Sequence, residues 1–340
     1  MDTLTHIALG ACIGEAALSK QIGKKALFWG AVAQTLPDID VAATLWLPPV
    51  DNLLVHRGFT HSFLFGVAAA ALLCFVVRNK ARLRAISFIK LFLFFCLQLW
   101  LHDMLDTCNA YGTGLLEPFS HQRFSFHLLF VADPFFSGLL VIAFAALVIL
   151  KKDNLKRKRW VLMGFLQALL YIIYAIFNKT LVKEQVQKSL LSKHIAYKDV
   201  MITPTPFNTW LWYIVATTDS GYVIGYRSVF DSDSLLIPFT YYPQNKQLLK
   251  TVNKTIDLKR LIRFADNYYT VEYKDSLLVF NVLRFGQVLG WQDTKAHFAF
   301  QYFLNPSYDN SLVVQRGRFE GWNWKAIVNM YRRIKGDDGE

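Results

Sequence analysis

Seven residues in the first third of the chain, His6, Asp38, Asp40, His56, His61, His102 and Asp106, have the side chains and spacings of metal ligands. In LHDMLDT, His102 and Asp106 stand at i and i+4, so a helix would present an imidazole and a carboxylate on one face, where both could bind the same ion. A structural His–Asp hydrogen bond is the alternative reading. Asp103 lies about 100° round that helix and reads as a supporting or capping group.

In HRGFTHS, His56 and His61 do not share a helical face, but Gly58 permits a turn that would bring the two rings together. Thr60 is a candidate N-cap for a helix beginning near His61. The plainer reading is an interfacial loop in which one histidine caps the helix. Asp38 and Asp40 follow Pro37, which predicts a helix break and an extended or turn segment with the two carboxylates facing opposite ways. At most one of them then serves a given ion, while the other serves a second ion or orients a histidine. His6 alone is weak evidence and gains weight only from the rest.

Two arginines, Arg57 and Arg123, accompany these clusters, and a guanidinium suits a phosphate or carboxylate of a substrate. Arg123 could equally be an interfacial arginine reaching for headgroups. Its neighbours His121 and His127, in PFSHQRFSFH, are left open as site members. Seven mixed nitrogen and oxygen donors exceed the four of a tetrahedral zinc, which favours two ions about 3.5–4 Å apart, zinc first and manganese as the alternative. No Gly-x-Ser-x-Gly elbow or P-loop occurs, so serine acyl-enzyme and nucleotide-driven chemistry are disfavoured.

Apolar helices must position these residues. Runs at His61–Val77, Ile86–Leu101, Pro134–Leu150 and Trp160–Phe177 read as membrane spans, each a little short of the roughly 20 residues of a full crossing. Two shorter segments precede them. Between His6 and Lys20 lie about thirteen residues, a helical rise of roughly 20 Å, which recesses the site below the outer surface unless these segments are interfacial hairpins. The expected architecture is an α-helical membrane bundle of about six embedded or spanning helices over residues 1–178, then a β-rich α+β soluble domain over 179–340. Stretches such as Tyr222–Phe230, Tyr268–Tyr273 and Leu277–Leu283 read as its strands.

Lysine and arginine near span ends stay cytoplasmic, and they gather in Lys20–Lys25, Arg78–Arg84 and Lys151–Arg159. Threading the chain through these turns puts all the ligand clusters, and everything after Phe177, outside. The first segment lacks a basic leader and is expected to stay in the mature protein. The chain is 54% hydrophobic with a net charge of +12. Topology accounts for most first-half charge, and no aromatic-basic motif supports nucleic-acid binding. All four cysteines fall in the membrane half, and none forms a paired zinc signature.

The ordered set MDTLTH with Gly10, LPDID, HRGFTHS, HDMLDTCNAYGTGLLEPFS, Arg123, Asp133-Pro134 and PTPFNTWLW resembles the YdjM family of bacterial inner-membrane metal-dependent hydrolases, including its YfhP-like members. A fainter similarity to zinc-dependent phospholipase C enzymes is analogy only. The family resemblance implies metal-dependent hydrolysis in the inner (cytoplasmic) membrane, with His6, Asp38, Asp40, His56, His61, His102 and Asp106 at the metal positions. It implies substrate or supporting roles for Arg57, Thr60 and Arg123. Asp38, Arg57 and Arg123 are the candidate catalytic residues.

The expected function is hydrolysis of a phosphoester in a lipid or lipid-linked substrate by metal-activated water, the bilayer being the one partner implied. A metal transporter or sensor, or an envelope-binding module with a structural metal site, are the alternatives. A transporter would spread its ligands through the membrane depth, whereas these lie towards one end. Substrate and oligomeric state are not legible.

Overall fold

An aspartate cap begins the first helix. Asp2 accepts a hydrogen bond from Thr5 N at 3.0 Å, and α1 runs Thr3–Ile22. In this computed structural model, which describes residues 1–78, 83, 86–252, 255–304 and 321–336, α1 turns back at Gly23 into α2, Lys25–Thr35. The two helices approach closely because Gly10 and Gly30 face each other: a Cβ on either would collide with the other's carbonyl oxygen. Pro37 then ends α2 and occupies the first turn of a 3-10 segment, Pro37–Leu45. The sequence led us to expect extended or turn backbone here.

After α3 (Pro49–Val55) and a short 3-10 turn at Phe59–His61 comes α4, Phe63–Val77. Its N-cap is Ser62, which accepts from Phe65 N at 3.1 Å, and not Thr60. Helix α5, Phe88–Asp106, starts at the Ser87 cap and carries the candidate ligands in its last turn. Helix α6, Pro134–Ile149, starts at Asp133, whose Oδ1 accepts from Phe135 N and Phe136 N with Pro134 at the first position. Helix α7 runs 37 residues, Lys156–Ser192. The predicted basic turn Arg78–Arg84 lies largely outside the described residues.

Of the expected six or so membrane-embedded or spanning helices, only some are long enough for a full crossing. Among the described residues two helices, α5 and α7, are long and apolar enough to cross a membrane, or three if Pro49–His61 and Phe63–Val77, bent by 60°, form one broken span. Three features reduce the number. Helix α1 buries His6 and Glu15, α2 has only 11 residues, and α6, though apolar, has 16.

The chain divides into two compact units, Met1–Trp46 with Val55–Ala175, and Leu47–Leu54 with Ile176–Glu340. The first is helical, its core built from Leu18, Ala26, Ala70, Leu91 and Phe95. A buried ion pair ties α1 to the start of α7: Arg157 Nη2 lies 2.6 Å from Glu15 Oε2, while Nη1 donates to the Leu150 carbonyl at 2.8 Å.

The second unit is rich in sheet. Strands β1 (Asp199–Pro204), β2 (Leu211–Thr217), β3 (Gly221–Ser228) and β4 (Thr240–Pro243) form an antiparallel meander, with Ile202 opposite Ile214 and Ile214 opposite Gly225. Helix α8 (Thr255–Ala265) precedes β5 (Tyr269–Lys274) and β6 (Leu277–Val282), which with β7 (Gln301–Phe303) make a second antiparallel sheet. The unit's last described helix is α9, Trp324–Ile334. The apolar run LWYIVAT of β2 does not alternate because both faces of its sheet are covered. Leu211, Tyr213 and Val215 pack with Met330 and Ile334 of α9, and Trp212, Ile214 and Ala216 pack with Val182, Val186 and Leu190 of α7. All four cysteines are free.

Candidate metal centre

Four side chains from three parts of the first unit converge: Asp38 from the 3-10 segment, His61 from the turn before α4, and His102 and Asp106 from α5. One donor atom of each lies within 4.8 Å of all the others. His61 Nε2 and His102 Nε2 are 3.1 Å apart. Asp38 Oδ1 is 3.5 Å from the first and 3.6 Å from the second, and Asp106 Oδ2 is 3.6 and 3.8 Å from them. A tetrahedral ion with bonds of about 2.0–2.1 Å sets its ligand atoms about 3.3 Å apart. Five of the six donor separations are therefore close to those of one four-coordinate site, and the sixth, Asp38 to Asp106, is within 4.8 Å.

The tautomers point the same way. His102 Nδ1 lies 2.6 Å from the backbone carbonyl of Gln34, and a carbonyl only accepts, so the proton is on Nδ1 and the Nε2 lone pair faces the group. His61 Nδ1 lies 3.2 Å from Asp40 Oδ2, which fixes its proton in the same way. Two imidazole lone pairs therefore meet at 3.1 Å among carboxylate oxygens. That contact is repulsive unless a cation or a proton lies between them.

Asp40, expected as a ligand, is placed one layer out. Besides His61 it contacts His56 Nδ1 through Oδ1 at 3.0 Å, and its Oδ2 accepts from Arg57 N at 2.9 Å and Thr60 Oγ1 at 2.8 Å. Burial alone would raise this carboxyl, but the hydrogen bonds and charges of His56 and His61 outweigh it and hold Asp40 well below the usual carboxylate range. His56 is likewise outside the four-donor group, its ring 6.1 Å from that of His61. Both rings are gathered by one carboxylate. The turn does not take its positive φ at Gly58, which has φ −90° and ψ −123°, but at Arg57, with φ 60°.

His6 adjoins the group on its other side. Its ring stacks on His102 with centroids 3.8 Å apart, and its Nε2 is 3.3 Å from Asp106 Oδ1, the oxygen turned away from the four donors. Arg57 is buried with Nε 2.9 Å from Asp106 Oδ2 and Nη1 donating to Asn109 Oδ1 at 2.6 Å, its guanidinium 5.1 Å from the Tyr111 ring centroid. The backbone nitrogen of Met1 also contacts Asp106 Oδ1. Arg123 Nη2 donates to the His56 carbonyl at 2.9 Å and so braces the histidine turn.

Asp103 is buried, and among the described residues no donor reaches either of its oxygens. His121 pairs with Glu117 at the surface (Nδ1 to Oε2, 2.8 Å), and neither His121 nor His127 belongs to the four-donor group. Three of the four donors, His61, His102 and Asp106, are fully buried, while the Asp38 side chain keeps 18% exposure. Asp38 is thus the face that solvent can reach.

Two participants were missed from sequence. Gln34 gives His102 its carbonyl and His6 Nδ1 its Oε1, 3.3 Å away. Asn109 holds Arg57. The available signal for Gln34 was a polar side chain in an otherwise apolar helix end, three residues before Pro37.

Comparison with known proteins covers the same region. A family model described as YdjM inner membrane protein matches residues 1–182. Inner membrane protein YbcI of Escherichia coli is 37% identical over 123 residues, which are 36% of this chain and 69% of that protein. The Bacillus subtilis protein YfhP is 25% identical over 342 aligned positions, covering 95% of both chains. No solved structure matches this chain.

Proposed function

Because this chain belongs to the YdjM inner membrane protein family, we propose that it is an integral membrane, metal-dependent hydrolase whose centre is Asp38, His61, His102 and Asp106. The observation that carries this reading is the meeting of two imidazole lone pairs and two carboxylate oxygens at near-tetrahedral separations. Two nitrogen and two oxygen donors suit zinc, with manganese the alternative. A second ion would draw on His6 Nε2 and Asp106 Oδ1.

A divalent ion held by these residues supplies a Lewis acid and lowers the pKa of a bound water towards about 7. The protein's own groups do the rest. Gln34 and Asp40 keep His102 and His61 in the ligating tautomer. Arg57 offsets the charge of fully buried Asp106, whose second lone pair stays available to the ion. Asp38, at the open face, is placed to orient an incoming water as well as to ligate. Arg123, half-buried beside the same turn, is the cation for a substrate phosphoryl oxygen, reached by exchanging its bond to the His56 carbonyl.

The substrate we favour is a phosphoester of a lipid or lipid-linked molecule, since the centre sits at the end of an apolar helix and Arg123 is held on the adjoining histidine turn. The lysine and arginine pattern supports a multi-pass topology with the ligand end of α5 and the β-rich half extracytoplasmic. The test is hydrolysis by zinc-loaded protein in detergent-lipid micelles, read as release of diacylglycerol or of the headgroup alcohol from phospholipids and as release of phosphate from polyprenyl phosphates. Release that is abolished in Asp38→Ala supports the proposal. A metal-replete protein that cleaves none of them sinks the phosphoester substrate, and an amide or carboxylic ester screen then decides whether hydrolysis survives.

A further inference from the structure

One carboxylate orients two histidines, and only one of the two belongs to the four-donor group. Asp40 Oδ2 lies 3.2 Å from His61 Nδ1 and turns His61 Nε2 towards the other donors, while Asp40 Oδ1 lies 3.0 Å from His56 Nδ1. An ionised carboxylate only accepts, so the His56 proton that faces it is on Nδ1. That leaves Nε2 as the reactive atom of the His56 ring. No described residue hydrogen-bonds to it, and the ring otherwise meets only those of His61 and Tyr111, edge to face, at centroid distances of 6.1 and 6.0 Å.

Burial separates the two histidines as well. The His61 side chain is fully buried, whereas that of His56 keeps 27% exposure. Among the imidazoles and carboxylates gathered here, His56 and Asp38 are the ones that solvent reaches. The same residue anchors Arg123, whose Nη2 donates to the His56 carbonyl at 2.9 Å. The cation assigned to a substrate phosphoryl oxygen and an imidazole nitrogen without a partner therefore belong to one turn.

Hydrolysis of a phosphoester breaks an O–H bond of water and a P–O bond, and it makes a new P–O bond and an O–H bond on the departing alcohol. Asp38 serves the water side. The other side needs a proton, because an alkoxide leaves poorly unless it is protonated as it departs, and a positioned imidazolium can supply one. We propose that His56 is this proton donor. In its cationic form, with Nδ1–H held by Asp40, it gives the Nε2 proton to the alcohol oxygen, which takes the electron pair of the breaking P–O bond. The proton lost by water passes to solvent, and solvent restores the one on Nε2. Asp40 fixes the ring and stabilises the imidazolium, as a buried carboxylate does behind a catalytic histidine. The proposal rests on the hydrolase reading and adds to it the residue that releases the product alcohol.

The test compares full-length wild type with His56→Asn, zinc-loaded, in detergent-lipid micelles. The asparagine Nδ2 can keep the bond to Asp40 while the Nε2 is gone, so a merely structural histidine would be replaced without loss. Two probes, p-nitrophenyl phosphate and hexadecyl p-nitrophenyl phosphate, release a nitrophenolate that departs without a proton. Two others, hexadecyl phosphate and hexadecyl methyl phosphate, release an alkoxide that needs one. The variant is expected to keep the wild-type zinc content and to slow the alkyl esters about 10²–10⁴-fold, with a loss on the nitrophenyl esters at least about tenfold smaller. Equal losses on the two kinds of leaving group, or no loss on either, overturn the proton-donor role and leave the hydrolase reading standing. Loss of zinc from the variant makes His56 a ligand and overturns the role as well. Wild type that cleaves none of the four probes overturns the phosphoester reading and this role with it.

Discussion

Asp40 touches His56, His61, Thr60 and the backbone of Arg57 together, so its chemistry is to hold other groups still. Asp40→Asn is expected to lower metal affinity about 10–100-fold without abolishing binding, the usual effect of removing a ligand's orienting carboxylate. Competition against a chromophoric chelator measures it, and an effect as large as that of Asp38→Ala would make Asp40 a direct ligand. Arg57→Met takes the guanidinium away from the buried Asp106 carboxylate and leaves the Met1 amino group as its remaining cationic contact, a loss of up to about 3 kcal/mol in metal-free protein. Thermal unfolding should show that loss, and saturating metal should narrow the gap to wild type. The sequence made His102 and Asp106 legible because helical spacing alone fixes their common face. It could not rank Asp38 against Asp40, since both leave the same 3-10 turn and only the positions of α4 and α5 decide which faces the Nε2 atoms of His61 and His102 and which backs the Nδ1 of His61. Gln34 was hidden for a different reason: half of its role belongs to its backbone carbonyl, which no side-chain pattern reveals.

At the scale of elements, α1 and α2 are locked by contact between Gly10 and Gly30, and this packing sets His6 and Gln34 beside His102. Gly10→Ala is expected to cost roughly 1–3 kcal/mol by forcing the helices apart. It should also weaken metal binding although position 10 touches no ligand. Unaltered affinity in a destabilised Gly10→Ala protein would uncouple the hairpin from the site. Glu15→Gln tests the opposite end of α1: Arg157 stays buried without its partner, a loss of about 3–5 kcal/mol with metal stoichiometry unchanged. The strands were readable from β-branched and aromatic runs, and β3, β5 and β6 fall where those runs lie. The number of crossings was not, because apolar composition does not reveal that α2 stops after 11 residues or that Pro49–Val77 bends by 60°.

Across the whole molecule, a helical unit holding the four donors is joined to a β-rich unit whose cores contain none of them. A ligand that binds the native state alone raises stability by about 2.7 kcal/mol at a hundred times its dissociation constant. Chelation should therefore lower the unfolding temperature of the first unit, with the near-ultraviolet signal of the second less affected. The most direct test of the account is metal content by elemental analysis of detergent-purified protein, wild type against the Asp38→Ala, His102→Ala double variant. The account predicts about one to two zinc or manganese ions per wild-type chain, lost in a double variant that keeps its helical circular dichroism. Wild-type protein prepared without chelators and carrying no metal would contradict it.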